Sequence, residues 1–286
     1  MASARLDIVD HVCDAGAQHS DDLWGSAGNA AWIMDGATGL SGERIFPDAA
    51  SDAAWFVAAI DRGLRAADWQ KPARDCLGKA VDTTEHRFRQ EAVSPPSDMS
   101  SWPSGAVTIL AVREHGVELV NLGDCKLLFR GAGGGPARSF GTSALGRLDR
   151  MLVDGIIHLQ KEGVTEPAAM WQRVLPHIRA NRARMNTEGG YWVLDVPGRG
   201  LDHADELVVA ADQIREFLLV TDGFYRLVDT YGIFDDETLL DAALARGLAA
   251  LCRELRAIEA QDPGCHTYPR LKPRDDATAV LGRIMG

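Results

Sequence analysis

Residues 26–40 read SAGNAAWIMDGATGL, an apolar run through Trp32-Ile33-Met34 that stops abruptly on Asp35-Gly36. Asp-Gly is among the commonest turn dipeptides, because aspartate bonds to nearby backbone and glycine accepts φ values closed to other residues. On its own, Asp35-Gly36 reads as a turn. The same ending recurs in FLLVTDG (217–223) and, mirrored, in LVNLGD (119–124). Asp275 or Asp276 stands beside a further strand pattern, ATAVLGRI, and Asp21-Asp22 precedes LWGSAGNAAWIMDG. Clustered carboxylates repel, and burial makes each costlier to ionise. If these strand ends meet, the site needs cations or must keep protons. Oxygen-only ligands, with no His or Cys nearby in sequence, favour Mg²⁺ or Mn²⁺ over zinc. Two such ions roughly 3.5–4 Å apart can generate a hydroxide and clamp a phosphoryl oxygen.

The composition agrees with such a site. With 286 residues, 46% hydrophobic and 25% charged, the chain reads as an ordinary soluble globular protein with a full core. Its formal charge of −11 repels phosphate backbones unless a cation intervenes. The most basic stretch, HIRANRAR (177–184), reads as one polar helix face, so no nucleic-acid partner is expected. No apolar stretch approaches the ~18 residues of a membrane span, so no membrane partner is expected either. The N-terminus, MASARLDIVDHVCDAG, has neither a basic start nor an apolar core, and the expected location is the cytoplasm. Cys13, Cys76, Cys125, Cys252 and Cys265 form no C-x-x-C pair and read as reduced and structural. Oligomeric state is not legible.

Along the chain, short strands fill the first forty residues. A helix follows over 48–67, with Trp55, Phe56, Ala59, Ile60 and Leu64 on one face and Asp48 or Ser51 as N-cap. A second spans about 73–92, with Leu77, Val81, Thr84 and Phe88 at helical spacing, and SPPSDMSSWPSG is a polar loop. GAVTILAVREHG and VELVNLGDCKLLFRG read as antiparallel neighbours joined at His115-Gly116. GAGGGPARSFG (131–141) is a turn with no phosphate-loop spacing and no clear helix after it. Residues 142–190 read as irregular, with helix at 166–184. GGYWVLD, HADELVVAAD and REFLLVTDGFYRLVDTYG return to strand, with Tyr191 and Trp192 at the core edge. One long helix is expected over about 236–260, carrying Leu240, Leu244, Leu248, Leu251, Leu255 and Ile258, and RDDATAVLGRI is a final strand. This order suits an α+β fold with helix-covered sheets.

Five elements in order resemble those of the metal-dependent Ser/Thr protein phosphatases of the PP2C, or PPM, type, in a divergent, bacterial-like form. SDDLW stands for the family's N-E-D element, WIMDGATGL for D-G-x-x-G, and SGAVTILAV…VELVNLGDCKLLFR for the strand pair ending G-D-S-R. LLVTDGFYRLVD stands for D-G-[LI]-[WY]-[DE], and RDDATAVLGRI for D-[ND]-x-[TS]. They span residues 20–283. The resemblance implies a four-layer αββα sandwich, two antiparallel sheets flanked by helices. It implies one phosphatase domain over 1–286, with a flap-like insert at about 142–190. It also implies two Mg²⁺ or Mn²⁺ ions, with a third, weaker one in bacterial members.

Carried over by motif, Asp35 bridges both ions and the Gly36 carbonyl binds one of them. Asp222 and Asp275 bind the other, and Asp124 the third. Asp22 and Asp21 act near the metals through bound water, and Asp276 orients Asp275 or water. Asp35, Asp222 and Asp275 are the catalytic set. The reaction so implied is hydrolysis of phosphoserine or phosphothreonine in proteins by a hydroxide bridging the two ions. Two positions depart from the pattern. The family's phosphate-gripping arginine is Ala17 here, leaving His19 as a candidate substrate contact, and the histidine that follows Asp-Gly in some members is Ala37. Neither departure removes a metal ligand. The alternatives are a catalytically weak regulatory module that binds a phosphoprotein or partner, and a phosphatase for small phosphate esters. In the insert, Arg147, Arg150, Arg182 and Arg184 read as solvated helix charges, with docking of a phosphorylated segment as the functional alternative.

Overall fold

The structure is a computed structural model that describes residues 4–286 apart from 43, 142, 143 and 165. It opens with strands β1 (Arg5–Asp14), β2 (Asp22–Ala27) and β3 (Ala30–Ala37). Helices α1 (Asp52–Arg65) and α2 (Ala73–Glu91) follow, then β4 (Ser104–Arg113), β5 (Gly116–Leu122), β6 (Lys126–Arg130) and β7 (Arg138–Phe140). Next come α3 (Ala144–Lys161), α4 (Pro167–Arg182), β8 (Leu194–Asp195), β9 (Asp205–Val209) and β10 (Glu216–Val220). The chain closes through α5 (Asp222–Asp229), α6 (Asp236–Arg246), α7 (Leu248–Gln261) and β11 (Ala277–Met285).

The strands form two antiparallel sheets, ordered β1-β11-β10-β6-β7 and β2-β3-β4-β5-β9, with β8 beside β4. Side chains alternate across a strand, and in the central strands both faces are covered. In β3, Trp32 and Met34 pack with α1 and α2, whereas Ala31 and Ile33 point into the layer between the sheets. In β10, Leu218 and Val220 pack with α5 to α7, while Phe217 and Leu219 face the inter-sheet layer. That double burial is why these strands read as unbroken apolar runs rather than alternating ones. The result is the αββα sandwich.

Several boundaries differ from the sequence reading. VELVNLGDCKLLFRG is not one strand. It breaks at Gly123, whose φ of +89° suits glycine, so that β5 lies in one sheet and β6 in the other. Asp124 therefore sits at the crossover between sheets. The 142–190 segment is largely helical, because α3 precedes α4, and a helix does follow the glycine-rich turn. The long helix over 236–260 is two helices, broken at Gly247 (φ +76°, ψ 157°). FLLVTDG ends its strand at Val220, and Asp222 opens α5. GGYWVLD contributes only Leu194-Asp195 to a strand, with Tyr191 bridged to Met185.

Candidate metal centre

The strand ends that carry the aspartates lie at one edge of the sandwich. In one sheet, Asp22 starts β2 and faces Asp35 near the end of β3 in register, and Asp35 in turn faces Ala106 of β4. In the other sheet, β6 starts, β10 ends and β11 starts side by side, with Val220 opposite both Lys126 and Ala279. Asp124, Asp222, Asp275 and Asp276 leave from those ends.

Two glycines let the loops close. A Cβ on Gly36 would stand 2.7 Å from the Asp21 carbonyl oxygen, which the Gly36 N–H already reaches at 3.1 Å. A Cβ on Gly223 would stand 1.9 Å from the Asp276 carbonyl oxygen. Hydroxyls then fix the carboxylates. The buried Thr221 hydroxyl donates to Asp22 at 2.8 Å and accepts from the Thr278 N–H at 3.0 Å. Ser51, the N-cap of α1, accepts from the Ala54 N–H and donates to Asp21.

The buried carboxylates act on one another. Burial first, then the charges of Asp22, Asp222 and Asp124 and a side-chain hydrogen bond with Asp222, raise Asp35 well above the usual carboxylate range. Burial likewise raises Asp22 well above it, with Asp222 and Asp276 adding and the Thr221 hydroxyl opposing. Burial, followed by Asp35, Asp124, Asp22 and Asp222, pushes the Cys125 thiol well up, so it stays a neutral thiol and no nucleophile. Asp22, Asp35, Asp124 and Asp222 thus occupy one electrostatic neighbourhood. Among the described residues, no three His, Cys, Asp or Glu side chains form a ready-made cation cage.

The remaining candidates behave differently. Asp276 accepts from the Gly16 N–H at 2.8 Å with one oxygen and from the Asp21 N–H at 2.7 Å with the other, so it holds the 16–21 loop rather than Asp275. Asp275 is bonded at 2.5 Å by Arg226 and at 2.9 Å by Lys272, one cation on each oxygen. His19 is exposed, with Nε2 3.7 Å from Asp21. An oxygen-only set of Asp22, Asp35, Asp124 and Asp222 fits a hard divalent cation, which would relieve their mutual repulsion. Asp275 fits less well, because the mostly buried Arg226 engages one of its oxygens and Lys272 the other.

Residues missed from sequence are the supports Thr221, Arg226 and Lys272, and Arg182 departs from its reading as a solvated charge. The last acid of the D-G-[LI]-[WY]-[DE] element is Arg226 here, a visible departure. Arg182, at the end of α4, donates to the carbonyls of Ser100 (3.0 Å), Trp102 (2.9 Å) and Ala37 (3.4 Å). It is therefore no solvated helix charge. It ties the α3–α4 pair to the strand that carries Asp35.

A pH dependence follows. A carboxylate whose folded pKa is raised contributes stability that is complete below its unfolded value of about 3.9 and is lost as pH rises through the folded value. Asp22 and Asp35 therefore penalise the cation-free fold increasingly as pH climbs above about 4. A cation requires them ionised and removes the penalty. Thermal melts in EDTA and in saturating Mg²⁺ should diverge as pH rises, and parallel curves would contradict the crowding.

No protein-family model matches the chain, and no curated protein matches its sequence. Solved structures match its fold. The PPM Ser-Thr phosphatase MsPP from Mycobacterium smegmatis is 19% identical, with a TM-score of 0.52 over 99% of this chain and 98% of that one. Serine/threonine phosphatase Stp1 from Staphylococcus aureus is 15% identical, with a TM-score of 0.54 over 100% and 96%. The catalytic domain of serine/threonine phosphatase PstP, solved with two manganese ions, is 14% identical, with a TM-score of 0.52 over 99% and 100%. The fold is that of the PPM/PP2C phosphatases.

Proposed function

We propose that this chain, which carries the PPM/PP2C fold, is a divalent-cation-dependent phosphatase acting on phosphoserine or phosphothreonine in proteins. The observation that carries the reading is the convergence of Asp22, Asp35, Asp124 and Asp222, oxygen-only and mutually repelling, at the sandwich edge. A bound Mg²⁺ or Mn²⁺ would supply charge neutralisation for a phosphoryl oxygen and acidify a water at neutral pH. Asp35 and Asp222 would hold the ion, with the Gly36 carbonyl beside them. Thr221 keeps Asp22 turned toward the site, and Ser51 does the same for Asp21. His19 lies exposed at the rim, where it can contact substrate. Residues 1–286 act as one domain in this reading, and the α3–α4 pair, anchored through Arg182, walls the site as a flap. Free cysteines throughout suit a cytoplasmic setting.

The test is hydrolysis of an aryl phosphate with Mn²⁺ or Mg²⁺ and with EDTA, then of phosphoserine and phosphothreonine peptides. Cation-dependent turnover with a higher kcat/KM on phosphopeptides is expected. Higher kcat/KM on small phosphate esters would redirect the substrate assignment. A second reading, a catalytically weak phosphoprotein-binding module, is favoured by Ala17 and by the ion pairs on Asp275. It gains if cation binds without turnover.

A further inference from the structure

Arg226 lies four residues after Asp222 in α5, a spacing that puts both side chains on one helix face. Its guanidinium reaches Asp275 at 2.5 Å, and Asp222 also acts on it electrostatically. Asp222 and Asp275 are the two carboxylates expected to share one cation. A positive charge stands against Asp275 and within the field of Asp222.

That charge is not a mobile surface group. The Arg226 side chain is 11% exposed, and its other terminal nitrogen faces Glu259, wholly buried, at 3.8 Å. Glu259 is held by Arg256 at 2.7 Å, and Arg256 by Asp14 of β1 at 2.7 Å. On the far side, Lys272 closes on Asp275 at 2.9 Å. The charges alternate from Asp14 through Arg256, Glu259, Arg226 and Asp275 to Lys272, three negative and three positive. A divalent ion on Asp275 would have to displace both partners and sit against their charges.

We propose that Arg226 and Lys272 stand in place of a second cation between Asp222 and Asp275, so that the chain loads one divalent ion, on the Asp35 side, rather than two. The inference rests on the cation-dependent reading above and narrows it. Asp22, Asp35, Asp124 and Asp222 keep an ion site, while Asp275 serves as a structural anion that seats α5 against the loop before β11.

Counting Mn²⁺ tests this without reference to turnover. Titrate the full chain and follow free Mn²⁺ by electron paramagnetic resonance, with circular dichroism melts to confirm folding. About one Mn²⁺ per chain is expected for wild type. Asp275→Asn should bind it with affinity within about threefold, whereas Asp35→Asn should weaken it by more than about 100-fold, the upper end of what changes beyond the direct ligands cost. Lys272→Ala combined with Arg226→Asp should raise the count toward two. Lys272→Ala with Arg226→Met, which keeps much of the arginine stem, repeats the test should Arg226→Asp fail to fold. Two ions on wild type, a count that stays at one in both double variants, or loss of the wild-type ion in Asp275→Asn would overturn the proposal while leaving cation dependence intact. No Mn²⁺ on wild type or any variant would overturn both.

Discussion

Replacing Asp35 by asparagine is expected to abolish cation-dependent hydrolysis and, at the same time, to raise the melting temperature of the cation-free protein. The two effects share one cause. Asp35 is desolvated, and Asp22, Asp222 and Asp124 all disfavour its charge. A side-chain hydrogen bond with Asp222 likewise favours the protonated form of Asp35. An asparagine amide donates that bond permanently, so the cation-free fold no longer needs to take up a proton or bear the repulsion. Removing one of these buried, mutually repelling charges therefore stabilises the cation-free fold. In the loaded protein the balance reverses, because the amide has no charge to offer a cation. Loss of turnover on the order of 10²–10³-fold or more is expected, the cost of removing one strong electrostatic stabiliser. Melts of both proteins in EDTA and in Mn²⁺, with assays alongside, check both halves. A variant that melts lower in EDTA would show that Asp35 is not crowded, and one that keeps wild-type turnover would remove it from the site.

What could be read from sequence follows from burial. Trp32-Ile33-Met34 and Phe217 to Val220 are covered on both faces, so they stand out as apolar runs, and whatever ends them is conspicuous. The aspartates were legible for that reason. The α3 helix was not, because Gly146 and Gly155 interrupt its apolar spacing and Met151 is exposed. The long stripe over 236–260 hid a break because residues on both sides of Gly247 bury leucines in the same core layer. The most consequential misreading was at Asp222. Taken as a strand end, it has no geometric relation to Arg226; taken as the first residue of a helix, it shares a face with it. The paired carboxylates Asp275 and Asp276 pose the same difficulty in smaller form. Adjacent in sequence, they face opposite ways, one toward Arg226 and Lys272, the other toward the amides of Gly16 and Asp21.

Gly223→Ala is expected to be far more damaging than a one-methyl change ordinarily is. The added Cβ would lie 1.9 Å from the Asp276 carbonyl oxygen and 3.2 Å from the Asp275 Cβ. The first obstacle is backbone, so no rotamer change relieves it. Nor can the start of α5 retreat, since the Thr221 N–H is bonded to the Thr278 carbonyl at 3.0 Å and Phe224 is fully buried beneath. Overpacking a core by a methylene or so costs about 1–3 kcal/mol where side chains can adjust. Against fixed backbone the upper end, ~3 kcal/mol, is the expectation, a fall of roughly 5 °C for a protein of this size. The displacement would also separate Asp222 from Asp35, so cation-induced stabilisation should shrink with it. Gly78→Ala in α2 supplies the contrast. Nothing lies within 4 Å of a Cβ there, and alanine is the better helix former by about 1 kcal/mol, so that variant should melt slightly higher than wild type. Two identical substitutions would then move stability in opposite directions. Equal melting temperatures for Gly223→Ala and wild type would mean that α5 and the loop before β11 do not meet as closely as the proposed centre requires.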